Sequence, residues 1–360
     1  MSATKKIRVL VVDDSAVVRR MISDALSRDP EIEVVGTACD PYVARDMILE
    51  LEPDVLTLDI EMPRMDGLTF LKILQEHRPM PVVIVSSLTQ AGSKIALQAL
   101  ELGAVDVIAK QSSAWNIGSL REHLAHRVKG AARACLSQFT PSSQAGATTE
   151  SSAGIHFSPR QLLVMGASTG GTEAGKNVMT RLPADMPGIC IVQHIPRVFS
   201  KTFAERLNDC CALEVREAVH GDEVRPGTAL IAPGDYHMAV EWDVNTYRVK
   251  LRRDPPIHFT RPAVDMLFNS AAQCAGRNVV GVLLTGMGRD GAQGMQQLKS
   301  AGAVNLAQNE ATCVVYGMPR AAVELGVVDR VLPLDQMPPA ILQALRERAP
   351  KSTEGILQPK

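Results

Sequence analysis

Apolar runs and amphipathic segments alternate through the first third of the chain. Short apolar runs predict strands, and segments with apolar residues every three or four positions predict helices. Five such strand–helix pairs follow one another before residue 130. Strands joined by helices pair in parallel and are covered on both faces, which predicts an α/β domain. The predicted strands are Ile7–Val12, Ile32–Thr37, Val55–Leu58, Val82–Val85 and Val105–Ala109.

A second alternating region begins near residue 160 and predicts another α/β domain. Apolar runs at Leu162–Met165, Ile189–Gln193 and Asn278–Leu284 are each followed by a helical pattern. Shorter strand patterns between residues 214 and 251 predict hairpins. Residues 140–154 are small and polar, as in a flexible connector. We therefore expect a first domain at 7–125, a linker at 126–158, and a doubly wound, mainly parallel domain at 159–348.

The composition is typical of a two-domain globular protein and argues against nucleic-acid-binding, zinc-binding and membrane proteins. The chain has 360 residues, enough for two domains, and a net charge of −1, so we expect no nucleic-acid partner. Its seven cysteines include no C-x-x-C pair, which favours a reduced, cytoplasmic protein without a zinc site. No apolar run reaches the roughly 20 residues of a membrane span, so we expect no membrane insertion. The first residues run directly into a strand pattern, so we also expect no signal peptide.

Charged and hydroxyl side chains lie where the predicted strands of the first domain end. Asp13 and Asp14 follow the first strand, Asp59 the third, Ser86 the fourth and Lys110 the fifth. The ends of parallel strands meet at one edge, where three carboxylates suit Mg²⁺ and a hydroxyl with an ammonium suits a phosphoryl group. Each residue alone could be a helix cap or an exposed strand end, but five such coincidences at one edge are much rarer.

The first domain resembles a response-regulator receiver domain. The motifs are Val-Val-Asp-Asp-Ser, Leu-Asp59-Ile-Glu-Met-Pro-Arg-Met-Asp-Gly, Val-Ser86-Ser and Ala-Lys110. The resemblance implies a flavodoxin-like (βα)5 fold in which a histidine kinase phosphorylates Asp59. It also implies that Asp13, Asp14 and Asp59 hold Mg²⁺, and that Ser86 and Lys110 sense the phosphoryl group.

Two positions depart from the receiver pattern. Gln111 follows Lys110 where receivers usually have proline, which puts the conformation of that loop in question. Val107 stands where many receivers carry an aromatic switch residue. The second departure suggests signalling without a swinging ring.

A serine at a sharp turn is the main candidate for chemistry in the second domain. The apolar run ends in Gly166-Ala-Ser168-Thr-Gly170, followed by a helical pattern. This spacing suits a nucleophile at a strand-to-helix turn, where free N–H groups can bind an oxyanion. By itself, the motif favours an ordinary loop, and a glycine-rich turn before a helix can also bind phosphate.

Two further residues support the interpretation of Ser168 as a nucleophile. His194 and Asp290 each follow an apolar strand, so the three side chains are expected at one sheet edge. A hydroxyl, an imidazole and a carboxylate within reach of one another form a Ser-His-Asp triad, in which the base takes the serine proton. The order along the chain differs from that of the α/β hydrolases.

The loop around Asp290 also has a competing interpretation. Gly286-Met-Gly288-Arg-Asp-Gly291 matches the dinucleotide fingerprint, with Glu310 about 20 residues further on. However, a carboxylate at the helix start would repel a pyrophosphate. Asp290 could also be a simple helix cap and His194 a structural histidine, but the conjunction of three strand-end groups favours the triad.

The second domain resembles the catalytic domain of the chemotaxis protein-glutamate methylesterases. The motifs include Gly-Ala-Ser168-Thr-Gly-Gly-Thr, Gln-His194-Ile-Pro, Arg-Pro-Ala-Val-Asp265 and Leu-Thr-Gly-Met-Gly-Arg-Asp290-Gly. The resemblance implies hydrolysis of glutamate γ-methyl esters on chemoreceptor cytoplasmic helices, with release of methanol, and deamidation of selected glutamines. It implies no cofactor in this domain, and we expect the backbone at Thr169 and Met287 to bind the oxyanion.

The domain order suggests how the enzyme is regulated. We expect the unphosphorylated receiver to cover the Ser168 edge and phosphorylation at Asp59 to open it. Two other functions remain possible for the second domain: DNA binding, which the near-neutral charge opposes, and an NAD-dependent oxidoreductase built on residues 278–310.

Overall fold

The computed structural model describes residues 5–87, 89–110, 117–135 and 157–348. Gln111 and most of the predicted linker lie outside the described residues, so the structure does not test them. Among the described helices, none combines the length and the apolar composition that crossing a membrane requires.

The first domain is a five-stranded parallel sheet in the order β2-β1-β3-β4-β5 with helices on both faces. This is the flavodoxin-like order, and the predicted fold is confirmed. The elements are β1 Ile7–Val12, α1 Ala16–Leu26, β2 Ile32–Ala38, α2 Pro41–Leu51, β3 Val55–Asp59, α3 Gly67–His77, β4 Val82–Ser87, α4 Gln90–Glu101, β5 Asp106–Lys110 and α5 Ile117–Ala132.

Helix α5 continues beyond the domain boundary expected at residue 125. The helix extends to Ala132. Its buried face, formed by Leu124, Val128 and Ala131 at spacings of four and three residues, continues past residue 125 and explains the extension. The first seven residues of the predicted linker, 126–132, are therefore part of this helix.

The second domain is built on a seven-stranded sheet in the order β14-β13-β12-β6-β7-β9-β8, in which every pairing is parallel. The predicted doubly wound class is confirmed, with one antiparallel hairpin beside it. The elements are β6 Leu162–Ala167, α6 Gly171–Met179, β7 Gly188–Gln193, α7 Arg197–Cys210, β8 Glu214–Glu217, β9 Thr228–Ile231, the hairpin β10 His237–Asp243 and β11 Thr246–Arg252, α8 Val264–Ala275, β12 Val279–Leu283, α9 Ala292–Ser300, β13 Val304–Gln308, α10 Met318–Glu324, β14 Arg330–Leu332 and α11 Met337–Arg346.

The strand order places the end of β6 at a topological switch point. The chain starts at the centre of the sheet with β6, builds outward through β7 to β9 and β8, and then returns to β12 on the other side. Loops that leave neighbouring strands in opposite directions open a crevice at their carboxyl ends, where ligands bind in such sheets. Ser168 follows β6 at this crevice.

The two domains share apolar packing. Leu124, Val128 and Ala131 of α5 belong to one buried cluster with Val314 and Val315 of the second domain. A further cluster contains Leu97 of α4 together with Phe203 of α7. The receiver therefore packs against the second domain through α4 and α5.

Close packing of β6 against α8 predicts a specific sensitivity at Gly166. A Cβ built on Gly166 would overlap the side chain of Val264, the first residue of α8. We expect Gly166→Ala to lower the free energy of unfolding by about 1–3 kcal/mol, as overpacked cores do. Equilibrium urea unfolding measures the change.

The matched control for that substitution is Gly175→Ala in α6. A Cβ on Gly175 would come no nearer than 3.9 Å to another side chain, that of Phe203. Replacing a helical glycine by alanine stabilises a helix by up to about 1 kcal/mol, so no loss is expected there. Equal destabilisation by both variants would contradict the packing argument.

Candidate active site

His194 and Asp290 form a buried pair at the edge where β7 and β12 end. The Nε2 atom of His194 lies 2.8 Å from Oδ2 of Asp290, and both side chains are buried. An ionised carboxylate accepts hydrogen bonds, so Nε2 carries the proton and donates it to Asp290. The Nδ1 atom of His194 is then the unprotonated nitrogen, the form that a general base requires.

The Asp290 carboxylate is held by backbone N–H groups as well as by His194. Oδ2 accepts from the N–H of Val264 at 2.7 Å, and Oδ1 accepts from those of Asp265 and Gly291 at 2.9 Å each. Val264 and Asp265 begin α8, whose N-terminus favours negative charge. Burial alone would raise the pKa of Asp290, but His194 and these N–H groups lower it below its usual range.

Ser168 lies next to this pair. Strands β6 and β7 pair in register up to Ala167 and Gln193, so Ser168 and His194 leave neighbouring strands at the same level. The backbone of Ser168 is fixed on both sides, since its N–H donates to Thr285 at 3.0 Å and its carbonyl accepts from the Gln193 side chain at 2.8 Å. The three predicted residues are thus brought to one edge of the sheet.

Within the part of the chain that the structure describes, no hydrogen bond joins the Ser168 hydroxyl to the His194 ring. Nδ1 of His194 likewise has no partner among the described residues. Nucleophile–base hydrogen bonds are often long in substrate-free enzymes and tighten when substrate binds. The arrangement therefore leaves Nδ1 available to accept the Ser168 proton.

The backbone N–H groups of Thr169 and Met287, near Ser168, have no acceptor among the described residues. The close approach of the two loops explains their proximity: a Cβ on Gly286 would lie 2.7 Å from Cβ of Ser168. Unpaired N–H groups beside a nucleophile are what an oxyanion hole requires. In the competing dinucleotide interpretation, the N–H of Gly291 would face a pyrophosphate, but it donates to Asp290 instead.

Sequence reasoning assigned no role to Asp265 or His258, which lie behind Asp290. Oδ1 of Asp265 accepts from the N–H of Gly294 at 2.6 Å, and Nε2 of His258 lies 3.4 Å from Oδ2. Burial and then the charge of Asp290 raise the pKa of Asp265 to about 6. The sequence shows Asp265 only as part of the motif Arg-Pro-Ala-Val-Asp265. It does not show that Asp265 lies beside Asp290, because that contact depends on where α8 packs.

The residues predicted for the receiver site lie close together at the edge of the first sheet. Nζ of Lys110 lies 2.8 Å from a carboxylate oxygen of both Asp13 and Asp59. Burial raises the pKa of Asp59, although Lys110 opposes the shift. Burial alone would lower the pKa of Lys110, but the two carboxylates raise it.

The donor set of this edge fits Mg²⁺. Carboxylate oxygens of Asp13, Asp14 and Asp59 lie within 4.8 Å of one another, and Asp14 is exposed, which leaves room for water ligands. The hydroxyl of Ser86 is buried without a hydrogen-bond partner among the described residues, as expected of a group that awaits an acceptor. Ser15 is a helix cap, as one interpretation of this segment predicted, because its hydroxyl accepts a hydrogen bond from the N–H of Val18. Val107, at the position of the aromatic switch residue in many receivers, is buried in β5.

A buried ion pair of the receiver contacts the loops of the active site. Arg127 of α5 lies 2.7 Å from Asp106 of β5, and both are buried. Asp106 accepts from the hydroxyl of Thr169 at 2.8 Å, and Arg127 donates to the carbonyl of His194 at 3.1 Å. This Asp106–Arg127 pair, which we call the latch pair, binds the residue after Ser168 and the backbone of His194.

Comparison with known families agrees with this architecture. A model of the CheB methylesterase family matches residues 163–341, and a model of the response regulator receiver domain matches residues 9–121. A protein-glutamate methylesterase/protein-glutamine glutaminase from Syntrophus aciditrophicus is 50% identical over 344 residues, covering 94% of this chain and 99% of that protein. The chain belongs to the CheB methylesterase family.

Two further relatives support this assignment. A CheB relative from Anaeromyxobacter dehalogenans, also named protein-glutamate methylesterase/protein-glutamine glutaminase, is 50% identical over 343 residues, covering 95% of this chain and 96% of that protein. The crystal structure of the Thermotoga maritima CheB methylesterase catalytic domain is 37% identical, with a TM-score of 0.50, and covers 51% of this chain and 97% of that one. The predicted family and enzyme class are confirmed, and the chain is a receiver-regulated CheB hydrolase.

The raised pKa of Asp265 predicts a pH-dependent contribution to stability. Its value in the folded state, about 6, lies above the ordinary 3.8, so the favourable contribution is present at low pH and is lost as pH rises through about 6. Asparagine cannot ionise but still accepts from Gly294. We therefore expect the stability of the wild type, relative to Asp265→Asn, to fall between about pH 4 and pH 7.

Thermal or urea unfolding at a series of pH values measures this difference. Asp335→Asn, which changes an exposed aspartate of the same domain, serves as the control. A difference between wild type and Asp265→Asn that stays constant with pH would show that folding does not raise the pKa of Asp265.

Proposed function

We propose that this chain hydrolyses glutamate γ-methyl esters on the cytoplasmic helices of chemoreceptors, releasing methanol, and deamidates selected receptor glutamines. The cytoplasm is then its place of action. The observation that carries this proposal is the convergence of Ser168 with the buried His194–Asp290 pair, in a chain about half identical to methylesterase/glutaminases over nearly its full length.

In the proposed mechanism, Ser168 is the nucleophile. Its oxygen attacks the ester carbonyl while Nδ1 of His194 takes its proton. The N–H groups of Thr169 and Met287 bind the oxyanion, and Asp290 orients the ring and stabilises its positive charge. The protonated His194 then gives its proton to the departing methoxide, which leaves as methanol, and Ser168 remains acylated.

Water completes the reaction. His194 takes a proton from a water molecule, which attacks the acyl-enzyme, and the protonated ring then returns a proton to Ser168 as the glutamate carboxylate is released. With a glutamine substrate, ammonia leaves in place of methanol. Both reactions thus need the same three residues and no further cofactor.

We propose Asp59 as the site at which a histidine kinase transfers its phosphoryl group. Mg²⁺ held by Asp13, Asp14 and Asp59 would offset the negative charge of that group. The Lys110 ammonium and the unpartnered Ser86 hydroxyl are placed to bind phosphoryl oxygens. Drawing Lys110 and Ser86 toward the new group would shift β5, and Asp106 is the first residue of this strand, four positions before Lys110.

The latch pair supports the proposal that the receiver restrains the active site. Arg127 and Asp106 bind the backbone of His194 and the side chain of Thr169. At the domain periphery, Glu101 of α4 pairs with Lys176 at 3.0 Å and with Arg206. Phosphorylation that shifts β5 and α4 would loosen both contacts and open the site to the substrate helix.

Substituting the nucleophile tests the catalytic assignment. Ser168→Ala should lower methanol release from a methyl-labelled receptor by more than about 1,000-fold, with a residual rate from the oxyanion hole alone. Ser300→Ala, which removes a serine hydroxyl from α9, should leave the rate unchanged. Methanol release by Ser168→Ala at the wild-type rate would remove Ser168 from the mechanism.

Weakening the domain contact tests the restraint. Glu101→Gln should raise the basal esterase rate by about three- to fivefold, in keeping with a partly exposed ion pair. Arg127→Ala should raise it further, since it removes a contact to His194 itself. The assay is methanol release by the full chain without a phosphodonor.

The control for this experiment is the Asp59→Asn background. In the Asp59→Asn chain, an acyl phosphate should no longer raise the esterase rate. Adding Glu101→Gln or Arg127→Ala to that chain should still raise it. Unchanged basal rates in both variants, or no gain on deleting residues 1–140, would contradict a restraining role for the receiver.

A further inference from the structure

A basic and aromatic cluster borders the active site away from the latch pair. The guanidinium of Arg253 lies 4.6 Å from the ring centre of Tyr236, and that of Arg197 lies 5.9 Å from the same ring. Arg261 donates to the backbone carbonyls of Arg253 and Asp254 at 3.4 and 3.1 Å. We call Arg197, Arg253 and Arg261 around Tyr236 the arginine rim.

Short contacts connect the arginine rim to the catalytic residues. Arg197 begins α7 three residues after His194, and a Cβ on Gly234 would overlap its backbone, so the turn before Tyr236 packs directly on it. The N–H of Asp235 donates to the carbonyl of Arg261 at 3.1 Å. Three residues beyond Arg261, at Val264, the chain enters α8, whose first N–H groups hold Asp290. The rim therefore borders the mouth of the site.

The positive charge of the rim is not neutralised within the described part of the chain. Arg197, Arg253 and Arg261 form no ion pair with any described residue. Asp235 and Asp254 lie in the same segments, but neither pairs with an arginine of the rim. Arg289, beside Asp290, is exposed and also forms no ion pair among the described residues, so the mouth carries an excess of positive charge.

Most of the arginines in this cluster are exposed, although Arg261 is half-buried. Among the residues that the structure describes, polar contacts from residues 5–135 to the second domain include Thr169, the carbonyls of His194, Val198 and Val314, and Lys176 and Arg206. Arg197 and Arg253 remain exposed in the full chain with the receiver in place. The rim is thus available to a partner while the latch pair still contacts the active site.

We propose that the arginine rim is a substrate-docking subsite that binds carboxylates next to the reacting residue on an acidic segment of the substrate protein. This inference rests on the proposed function, since both reactions act on glutamate or glutamine side chains and each turnover adds a carboxylate to the substrate. A guanidinium matches a carboxylate in shape and charge, and stacking on Tyr236 holds two of them ready to bind.

The proposal has consequences for specificity and for the order of events. A segment that has already been partly demethylated carries more carboxylates, so it binds the rim more tightly than a fully esterified one. Because the rim is exposed beside a covered site, a substrate can dock before phosphorylation opens the catalytic residues. The electrostatic part of this docking weakens as salt rises.

The test compares two peptides that each carry one glutamate γ-methyl ester, flanked by glutamates in one and by serines in the other. The full chain, activated with an acyl phosphate, should show a lower KM for the glutamate-flanked peptide, and added NaCl should remove this preference. Arg253→Gln and Arg197→Gln should each raise that KM by up to about fivefold, with kcat unchanged and the serine-flanked peptide unaffected.

Arg330→Gln, which changes an exposed arginine on the far edge strand β14, is the matched control and should change neither KM. Tyr236→Leu should give a smaller rise in KM than either arginine variant, because it removes the stacking but not the charge. Equal KM values for the two peptides on the wild type, or equal losses on both peptides in the arginine variants, would overturn the proposal.

A binding measurement separates this proposal from the proposed function. Fluorescence anisotropy with the labelled glutamate-flanked peptide and the Ser168→Ala chain reports docking without hydrolysis. Tighter binding than that of the serine-flanked peptide, lost in Arg253→Gln, supports the rim even if wild-type chain releases no methanol. Absence of methanol release contradicts the esterase function, and equal binding of both peptides contradicts the rim.

Discussion

The catalytic domain depends on one buried charge, the carboxylate of Asp290. Burying an ionised carboxyl costs several kcal/mol unless hydrogen bonds compensate. Here the N–H groups of Val264, Asp265 and Gly291 and the ring of His194 supply them. Because these partners lie at the start of α8, at the end of β7 and in the loop of Asp290 itself, the same bonds that stabilise the charge also fix the loop after β12 against α8 and against the end of β7.

At the domain interface, a buried ion pair is likewise stabilised by hydrogen bonds to other parts of the chain. Arg127 and Asp106 are almost fully buried, so each needs every hydrogen bond available, and both find partners in the active-site loops. A displacement of the receiver therefore cannot occur without freeing Thr169 and the backbone of His194. In the proposed function, this coupling lets a charge added at Asp59 reach the nucleophile through β5, with no aromatic switch, since Val107 occupies that position.

The two sides of the crevice have different chemistry. One side faces the receiver, where Val314 and Val315 pack with Leu124 and Val128 and where the latch pair is buried. The other side is cationic, with Arg197 and Arg253 stacked on Tyr236. Apolar burial suits a contact within the chain, whereas exposed guanidinium groups suit a partner that arrives from solution and carries negative charge.

Periodicity and strand-end positions were sufficient to predict both parallel sheets and the edges at which Ser168, His194 and Asp290, and Asp13, Asp59 and Lys110, come together. Those positions are encoded locally, because a strand that ends at a given residue places its next side chain at the sheet edge. The partners of Asp290 on α8, the Asp265–His258 contact, the extension of α5 to Ala132 and the latch pair were decided by tertiary structure alone. Each depends on how helices distant in sequence pack on the sheet, and no local pattern records that distance or orientation.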